Sequence, residues 1–288
     1  MPASVVALLL VSAMLHAAWN LLVKRARVKL VFMWWALVVG FVCTGPVLTI
    51  GPRLPLRVWP YVLASAAFEV AYFFTLTRAY DRGDFSLVYP IARGTAPGLL
   101  AVWSALFLGE WPSAGGSVGL ALLLVGLVIV GGGAQWVRRS RHGRVPLGIG
   151  GAGAAFATAG CISIYSVIDG AAVRSVPPFP YAVIVLGFTA LFAAPIVAAR
   201  FGRPTIIAEW RANWPRIVTV GILSLTTYTF VLIAFTRTRV GYAGAVREVS
   251  IVFAAFMGWR LLGEQFGRLR TGGAILIFTG ILIIATTG

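Results

Sequence analysis

Charged side chains occur inside long apolar segments of this chain, where they could bind and release a solute. Arg93 and Arg247 interrupt two such segments, Glu248 follows Arg247, and Glu69 lies in the middle of another. An ionised side chain at the centre of a bilayer costs about 2.5–3.5 kcal/mol on insertion scales, so it persists only with a partner, a water-filled cavity or a task. We expect these four residues to line a substrate-binding cavity and to neutralise one another when it is empty. The alternative is a set of structural ion pairs that fix helix packing.

Further polar side chains could take part in coupling or gating. Asp169 closes the sixth apolar segment, and the first segment carries Ser12, His16, Asn20 and Lys24 at four-residue spacing. This spacing places the four on one slowly drifting helix face, which should contact protein or water rather than lipid. His16 could carry a proton near neutral pH. A hydrogen bond that joins helix 1 to a neighbouring helix explains it as simply.

Tyrosines inside the apolar segments could contribute to the same cavity, by stacking on a small organic solute or by hydrogen bonding to it. Each of them, taken singly, could equally be a packing residue whose hydroxyl is satisfied by a neighbour. The substrate-binding candidates are the four that lie within a segment rather than at its ends, namely Tyr72, Tyr89, Tyr165 and Tyr228.

Two prolines, Pro90 and Pro97, flank Arg93. An interior proline removes a backbone donor and clashes with the carbonyl four residues earlier, so we expect the helix to kink here. Freed carbonyls beside a fixed cation would form a binding surface, because irregular backbone at membrane depth is tolerated only where it faces a cavity or protein. A simple packing kink is the alternative.

The elements that must position these side chains are membrane-spanning helices. Of the 288 residues, 59% are hydrophobic and 11% are charged, against roughly 25% charged residues in a soluble domain, which excludes a water-soluble globule. A spanning helix needs about 20 residues, and the apolar segments lack the alternation of a membrane β-strand. We therefore predict an all-α polytopic membrane protein with ten transmembrane helices, at residues 4–23, 31–50, 58–80, 85–108, 115–137, 147–168, 181–199, 217–235, 240–262 and 271–287.

The ten helices divide into two halves that resemble each other. Displacing one half by 154 positions superimposes Arg93 on Arg247, together with a polar helix-end motif and two glycines. Five helices per half, an odd number, require the second copy to be inverted relative to the first, which is the plan of many secondary transporters. The predicted domains are a first five-helix repeat at 1–137, a basic linker at 138–146 and a second five-helix repeat at 147–288. The other matched residues are Leu108-Gly109-Glu110 with Leu262-Gly263-Glu264, Gly119 with Gly273, and Gly126 with Gly280.

Position 69 breaks this symmetry, because the same displacement puts Leu223 opposite Glu69. The duplication therefore does not require an acid there, which favours a function for Glu69.

The matched glycines recur seven residues apart on one helix face, a pattern that suits close contact between helices. We interpret these glycines as structural.

The sequence lacks the residues that several other classes of function require. The formal charge is +16, but most basic residues lie in short connectors, so no nucleic-acid partner is indicated. Cys43 and Cys161 lie in apolar segments and the two histidines are far apart, so we expect no disulfide framework, no metal site and no cofactor. A Walker loop for ATP needs a lysine after a glycine-rich turn, and neither lysine follows a glycine.

A membrane-embedded enzyme is the alternative from another class. The stretch from Asp169 to Arg174 is similar to the opening of the CDP-alcohol phosphotransferase motif. That motif needs two further downstream aspartates for metal binding, and the chain has no aspartate after Asp169. We therefore predict that the protein is not an enzyme.

The distribution of basic residues predicts an orientation in the membrane. Seventeen of the 24 lie in or beside connectors that follow odd-numbered helices, which places those connectors in the cytoplasm and both termini outside. No basic residue precedes Lys24, so we expect the first apolar segment to remain as a helix rather than to be cleaved as a signal peptide.

Several motifs together resemble the EamA-like branch of the drug/metabolite transporter superfamily. They are the run from His16 to Asn20, the stretch from Ala79 to Gly94, Val246-Arg247-Glu248 and the repeated Leu-Gly-Glu. The resemblance spans nearly the whole chain. It implies a ten-helix, two-repeat carrier in the bacterial inner membrane, which exports amino acids, metabolites or drugs through a central cavity. Characterised members of this branch usually have cytoplasmic termini, opposite to the orientation that the basic residues predict.

The hypothesis from the sequence is a secondary transporter that exports small organic solutes by alternating access. A flippase for lipids or lipid-linked sugars with the same fold is the alternative. The expected partners are the solute and membrane lipids, while the coupling ion and the oligomeric state stay open. Small multidrug-resistance relatives exchange protons on a glutamate in helix 1, whereas helix 1 here has His16 and no acid.

Overall fold

A computed structural model describes residues 1–24, 26–50, 53–82, 85–130, 149–262 and 268–288. The predicted basic linker at 138–146 lies outside these ranges. The described part of the chain is helical and contains no β-strand. Seven of its helices are long and apolar enough to cross a membrane, which confirms the all-helical, multi-pass class.

The helices follow the predicted segments closely in the first half of the chain. The fourth helix has the predicted bounds, and the first and third agree with prediction to within two residues at each end. The second ends earlier than predicted, at Thr44, and continues as a 3-10 turn, Gly45–Thr49. The helices are α1 (Ala3–Lys24), α2 (Lys29–Thr44), α3 (Trp59–Arg82), α4 (Phe85–Leu108), α5 (Ala114–Val130), α6 (Ile149–Ala172), α7 (Pro178–Phe235), α8 (Val240–Arg247), α9 (Ser250–Leu262) and α10 (Arg268–Thr287).

The predicted ninth segment is two helices, α8 and α9, rather than one. The break lies at Glu248 and Val249, whose N–H groups donate to the carbonyl groups three residues earlier, over 3.1 Å in both cases. Both bonds span three residues rather than the four of an α-helix, so the α-helix ends at Arg247. In contrast, α4 continues through Pro90 and Pro97 as a single helix. The chain thus breaks beside Arg247, whereas the helix beside Arg93, where we expected a kink, is not interrupted.

The long helix α7 contains both the seventh and the eighth predicted segments. Its 58 residues would extend about 87 Å at 1.5 Å per residue, far beyond a hydrocarbon core of about 30 Å. Its backbone leaves the helical region at Gly202, where φ is 69° and ψ is 159°. The connector that we predicted between the two segments is thus helical except at this glycine, which supplies the left-handed conformation that other residues avoid.

Contacts with α2 show that the two arms of α7 lie side by side. Gly40 packs against Gly221, so that a Cβ on Gly40 would lie 3.0 Å from the Gly221 carbonyl oxygen, and the neighbouring Phe41 packs against Gly187. Gly187 and Gly221 belong to opposite arms and meet consecutive residues of α2. The chain therefore reverses direction between them, as the backbone at Gly202 indicates.

Matched glycines form the contact between α5 and α10. A Cβ on Gly280 would lie 2.5 Å from the Gly119 carbonyl oxygen, and a Cβ on Gly126 would lie 2.6 Å from the Gly273 carbonyl oxygen. A displacement by 154 positions converts one pair into the other, with the two helices exchanged. A local twofold axis therefore relates α5 to α10 at this contact. The glycines are needed because the two backbones approach so closely.

The apolar core fills the end of the bundle that carries the two chain termini. It includes Leu9 of α1, Leu123 of α5, Leu232 of α7 and Ile284 of α10, all fully buried. The opposite end, where α1 ends and α2 begins, encloses a polar cavity. In the part of the chain that the structure describes, the fold thus combines a sealed end with an open one.

Candidate functional site

The polar cavity has a volume of about 510 Å³, within the range typical of small-molecule sites. It extends from exposed residues at its mouth, Asn20 and Asp81, to the guanidinium groups of Arg93 and Arg247. Eight of the residues predicted from sequence line it: His16, Asn20, Glu69, Tyr72, Arg93, Tyr165, Tyr228 and Arg247. Two others, Glu248 and Asp169, lie buried behind its wall, and the side chain of Tyr89 lies outside the part that the structure describes.

The deepest feature of the cavity is a cluster of two arginines and one glutamate. Arg93 Nη1 lies 3.4 Å from Glu248 Oε1, and Arg247 Nη2 lies 3.2 Å from the same oxygen. The Glu248 side chain is 2% exposed, whereas those of Arg93 and Arg247 are 19% and 13% exposed. A buried carboxylate requires such partners. Two guanidinium groups thus share one buried carboxylate, and both also line the cavity.

Small residues bring the two arginines together. The helices α4 and α8 cross where Gly241 packs on Ala101 and Gly244 packs on Leu100, and a Cβ on Gly241 would lie 2.9 Å from the Ala101 Cα. The close crossing places the middle of α4 beside the C-terminus of α8. Arg247, in the last turn of α8, also complements the partial negative charge at that helix end.

Glu69 lies apart from the arginine cluster. It is 8% exposed, and its Oε2 lies within hydrogen-bond distance of Thr189 Oγ1 of α7, at 2.7 Å. None of the ion pairs in the described part of the chain involves Glu69. Among the described residues, the arginines therefore pair with Glu248 rather than with Glu69, although Arg247 also acts on Glu69 through space.

Asp169 is held behind the cavity wall by two tyrosines. Tyr181 donates to its Oδ1 over 2.8 Å and Tyr228 donates to its Oδ2 over 2.7 Å. Asp169 is fully buried, so these hydroxyl groups replace water around the carboxylate. Since Tyr228 lines the cavity, Asp169 fixes the position of one of the aromatic rings that a solute would meet.

Three residues of the polar stripe of α1, Ser12, His16 and Asn20, line the cavity. Ser12 donates to the Thr227 carbonyl oxygen over 2.9 Å and so joins α1 to α7. The His16 ring meets the Trp19 ring edge-on, with centroids 4.6 Å apart, and Asn20 donates to the His16 carbonyl oxygen over 2.8 Å. The interhelical hydrogen bond considered for His16 is therefore made by Ser12.

The Leu-Gly-Glu motif after α4 closes the other end of the cavity. Gly109 adopts a φ of 69°, and the Glu110 N–H donates to the Ser104 carbonyl oxygen over 3.1 Å, as in a glycine-terminated helix. The Glu110 carboxylate pairs with Arg174 and accepts the Val240 N–H over 2.6 Å. Burial raises the pKa of Glu110, although both partners favour its ionised form. Glu110 therefore joins the ends of α4 and α6 to the beginning of α8.

Further polar contacts tie the two halves together at this closed end. Ser113 donates its backbone N–H to the Tyr242 hydroxyl over 3.0 Å and its own hydroxyl to the Thr287 carbonyl oxygen over 2.7 Å. The terminal amine of Met1 donates to the Ala285 carbonyl oxygen over 2.8 Å. Both chain termini thus lie at the closed end, opposite the mouth of the cavity.

Sequence analysis missed several residues that organise the site. Thr189 and Tyr181 are polar residues in apolar helices, where threonine and tyrosine are common, so no spacing signal marked them. Glu110 was noticed as part of a repeated motif, but its contact with the first turn of α8 depends on the tertiary fold. Within the described ranges, no group of three histidine, cysteine or acidic side chains could hold a metal ion.

Comparisons with known proteins identify the family and the fold of this chain. The sequence model of the EamA-like transporter family matches residues 3–132 and again residues 149–286. The pseudopaline exporter CntI from two strains of Pseudomonas aeruginosa is 24% identical over 227 residues, which are 77% of this chain and 72% of the exporter. A crystal structure of a protein with 20% identity superimposes on the whole of both chains with a TM-score of 0.78, which shows a shared fold.

Proposed function

Since the chain belongs to the EamA-like transporter family, we propose that it is a secondary carrier in the bacterial inner membrane that exports small organic solutes by alternating access. It is a multi-pass membrane protein and a transporter rather than an enzyme. Export is the direction that the similarity to the pseudopaline exporter favours. Amino acids, other metabolites and drugs are the solute classes that the family suggests.

The observation that carries this proposal is the shape of the cavity. Its mouth is open beside Asn20 and Asp81, while its far end is sealed by the apolar core and by the contacts of Glu110. A binding site that is accessible from one face only is one of the two states that alternating access requires. The second state would open the closed end and seal the mouth.

The architecture that we propose is two inverted repeats of five helices, at 1–137 and 147–288. The self-related contact between α5 and α10 supports it, because a twofold axis in the membrane plane converts each repeat into the other. Each of the two side-by-side arms of α7 would cross the membrane once, which gives the second repeat its five crossings. The two segments matched by the family, at 3–132 and 149–286, have the same division.

The charges of the cavity favour a zwitterionic solute. The two guanidinium groups line the cavity and would take a carboxylate, which Arg binds well through its planar fork of donors. Glu69 lies on the same cavity and would take an ammonium group. Tyr72, Tyr165 and Tyr228 add aromatic surface between them.

A screen in proteoliposomes tests the proposal. We would measure efflux and counterflow of labelled amino acids, dicarboxylates and quaternary ammonium compounds, with fluorescent phospholipids and a lipid-linked sugar in a parallel assay. Saturable movement of a small solute, lost in the Arg247→Ala variant, is the expected result. Movement of lipid alone would instead favour a flippase of the same fold.

A further inference from the structure

Thr189 has a hydrogen-bond geometry that depends on the protonation of Glu69. Its Oγ1 lies 2.7 Å from Glu69 Oε2 and 2.9 Å from the Val185 carbonyl oxygen. Both of these oxygens would accept from a hydroxyl, but a threonine hydroxyl has a single proton to donate. With an ionised Glu69, one of the two short contacts would bring together two acceptors with no proton between them.

A protonated Glu69 satisfies both contacts at once. Its own O–H would donate to Thr189 Oγ1, which accepts through a lone pair, and Thr189 would donate to Val185. The chain of hydrogen bonds is then complete, and no buried negative charge stands without a cation. An isolated charge at membrane depth is costly, so the neutral form also agrees with the lack of an ion pair at Glu69 among the described residues.

Asp169 has the opposite environment, although it lies nearby. Each of its oxygens accepts a hydroxyl proton, from Tyr181 over 2.8 Å and from Tyr228 over 2.7 Å. Two donors suit an ionised carboxylate, which only accepts. Two neighbouring acids with surroundings that favour different protonation states form the arrangement in which one acid transfers protons and the other stays charged.

We propose that Glu69 is the proton-binding site of this carrier, protonated when the cavity is empty and deprotonated when the cationic group of a solute takes the place of the proton. This inference rests on the proposed transport function and adds the coupling ion to it. A solute with an ammonium group enters, the Glu69 O–H bond breaks, the proton passes to cavity water, and a carboxylate–ammonium pair forms. One proton is released for each solute bound, so outward transport of the solute is exchanged for inward transport of a proton.

The route for the proton is the cavity itself. Glu69 is one of the lining residues, so water at the mouth reaches the carboxyl without a separate channel. The titratable and charged groups that share the cavity with Glu69 or interact with it from the neighbouring helices are His16 of α1, Lys29 of α2, Arg93 of α4, Tyr165 and Asp169 of α6, Tyr181 and Tyr228 of α7, and Arg247 of α8.

Infrared spectroscopy of the purified protein tests the proton site without any solute. We expect the wild type to show the carbonyl band of a protonated carboxylic acid, which disappears as the pH is raised. The band should be lost in Glu69→Gln and retained in Asp169→Asn, the matched control. Thr189→Val, which is nearly isosteric, should shift its frequency because the acid loses its acceptor. A band that persists in Glu69→Gln, or its absence from the wild type, would overturn the proposal.

A transport assay tests the coupling separately. With a solute from the proteoliposome screen, a pH gradient should drive accumulation in wild-type vesicles, whereas whatever transport Glu69→Gln retains should be the same with and without the gradient. Wild-type transport that ignores the gradient would contradict the coupling and leave the carrier function standing. A screen in which no solute moves would contradict the carrier function, while the infrared result would still decide the proton site.

Discussion

The two arginines are symmetric in the sequence, but the acids around them are not. Arg93 and Arg247 occupy matched positions, whereas Glu248 corresponds to Gly94 and Glu69 corresponds to Leu223. One repeat thus supplies the carboxylate that both arginines share, and the other supplies the acid that faces the open cavity. This asymmetry gives the site a cationic and an acidic side, which an exactly duplicated pair could not provide.

Removal of Arg247 should weaken the binding of a carboxylate. In Arg247→Ala, the cavity loses one of the two guanidinium groups that line it, and Arg93 stays paired with Glu248. A hydrogen bond to a charged group contributes about 1.5–3 kcal/mol, so the KM for an anionic or zwitterionic solute should rise by roughly tenfold or more. Arg237→Ala, at an exposed site, is the control and should leave KM unchanged. An unaltered KM in Arg247→Ala would show that the cluster only fixes packing.

The two tyrosines that hold Asp169 should contribute to stability. Tyr181→Phe leaves the packing of its ring intact but removes one of the two donors to a fully buried carboxylate, at a cost of about 1.5–3 kcal/mol. We expect a lower midpoint of thermal unfolding in detergent. Tyr61→Phe, on an exposed ring of α3, should leave the midpoint unchanged. Equal midpoints for the two variants would mean that Asp169 is satisfied in another way.

Residue types predicted the lining of the cavity better than its internal bonds. Arg93, Arg247 and Glu69 were marked by the cost of charge in an apolar segment, and all three line the cavity. Their partners could not be inferred, because Thr189 lies 120 positions from Glu69 and Glu248 pairs with an arginine from the other half of the chain. Sequence shows which side chains need a partner, whereas helix packing decides which partner each one meets.

At the scale of elements, close helix contacts depend on glycines at the crossings. The pair α5 and α10 meets at two glycine–glycine contacts, and α4 meets α8 at Gly241 and Gly244. Without such contacts, the backbones would stand further apart and the two arginines could not share one carboxylate. The glycine pattern therefore links sequence spacing to the geometry of the site.

Alanine substitutions on α10 should distinguish a glycine that is packed against another helix from one that has free space around it. A methyl group at Gly280 would lie 2.5 Å from the Gly119 carbonyl oxygen, whereas one at Gly272 meets nothing within 4 Å. Overpacking typically costs about 1–3 kcal/mol, so Gly280→Ala should lower the midpoint of thermal unfolding. Gly272→Ala should not lower it, because alanine favours helix over glycine. A similar decrease in both variants would contradict the close crossing of α5 and α10.

Helix bounds were predicted well where local signals end a helix and poorly where tertiary contacts do so. The end of α4 is marked by Gly109, and its bounds agree with prediction. The break after α8 has no proline or glycine at Glu248, and it coincides with the ion pairs that hold this residue. The connector predicted between the seventh and eighth segments contains the turn at Gly202, but the polar residues on both sides of the turn are helical.

At the scale of the whole molecule, the open end of the cavity coincides with the basic end of the protein. Most of the basic residues lie in or beside the connectors that follow the odd-numbered predicted segments. The cavity mouth lies between the end of α1 and the end of α3. Positive charge marks the cytoplasmic side. We therefore propose that this conformation is open to the cytoplasm, ready to load a solute for export, with both termini on the outer face.

Labelling in intact cells tests this orientation. In a background with Cys43→Ser and Cys161→Ser, a membrane-impermeant maleimide added outside should modify Thr287→Cys, at the closed end, and spare Asn20→Cys, at the mouth. Opening the cells should expose Asn20→Cys to the reagent, which serves as the control for its reactivity. A reporter enzyme that is active only outside the cytoplasm should work when fused after Gly288. The reverse pattern would place the termini in the cytoplasm, as in characterised EamA-like carriers, and would make this conformation the one that releases its solute outside.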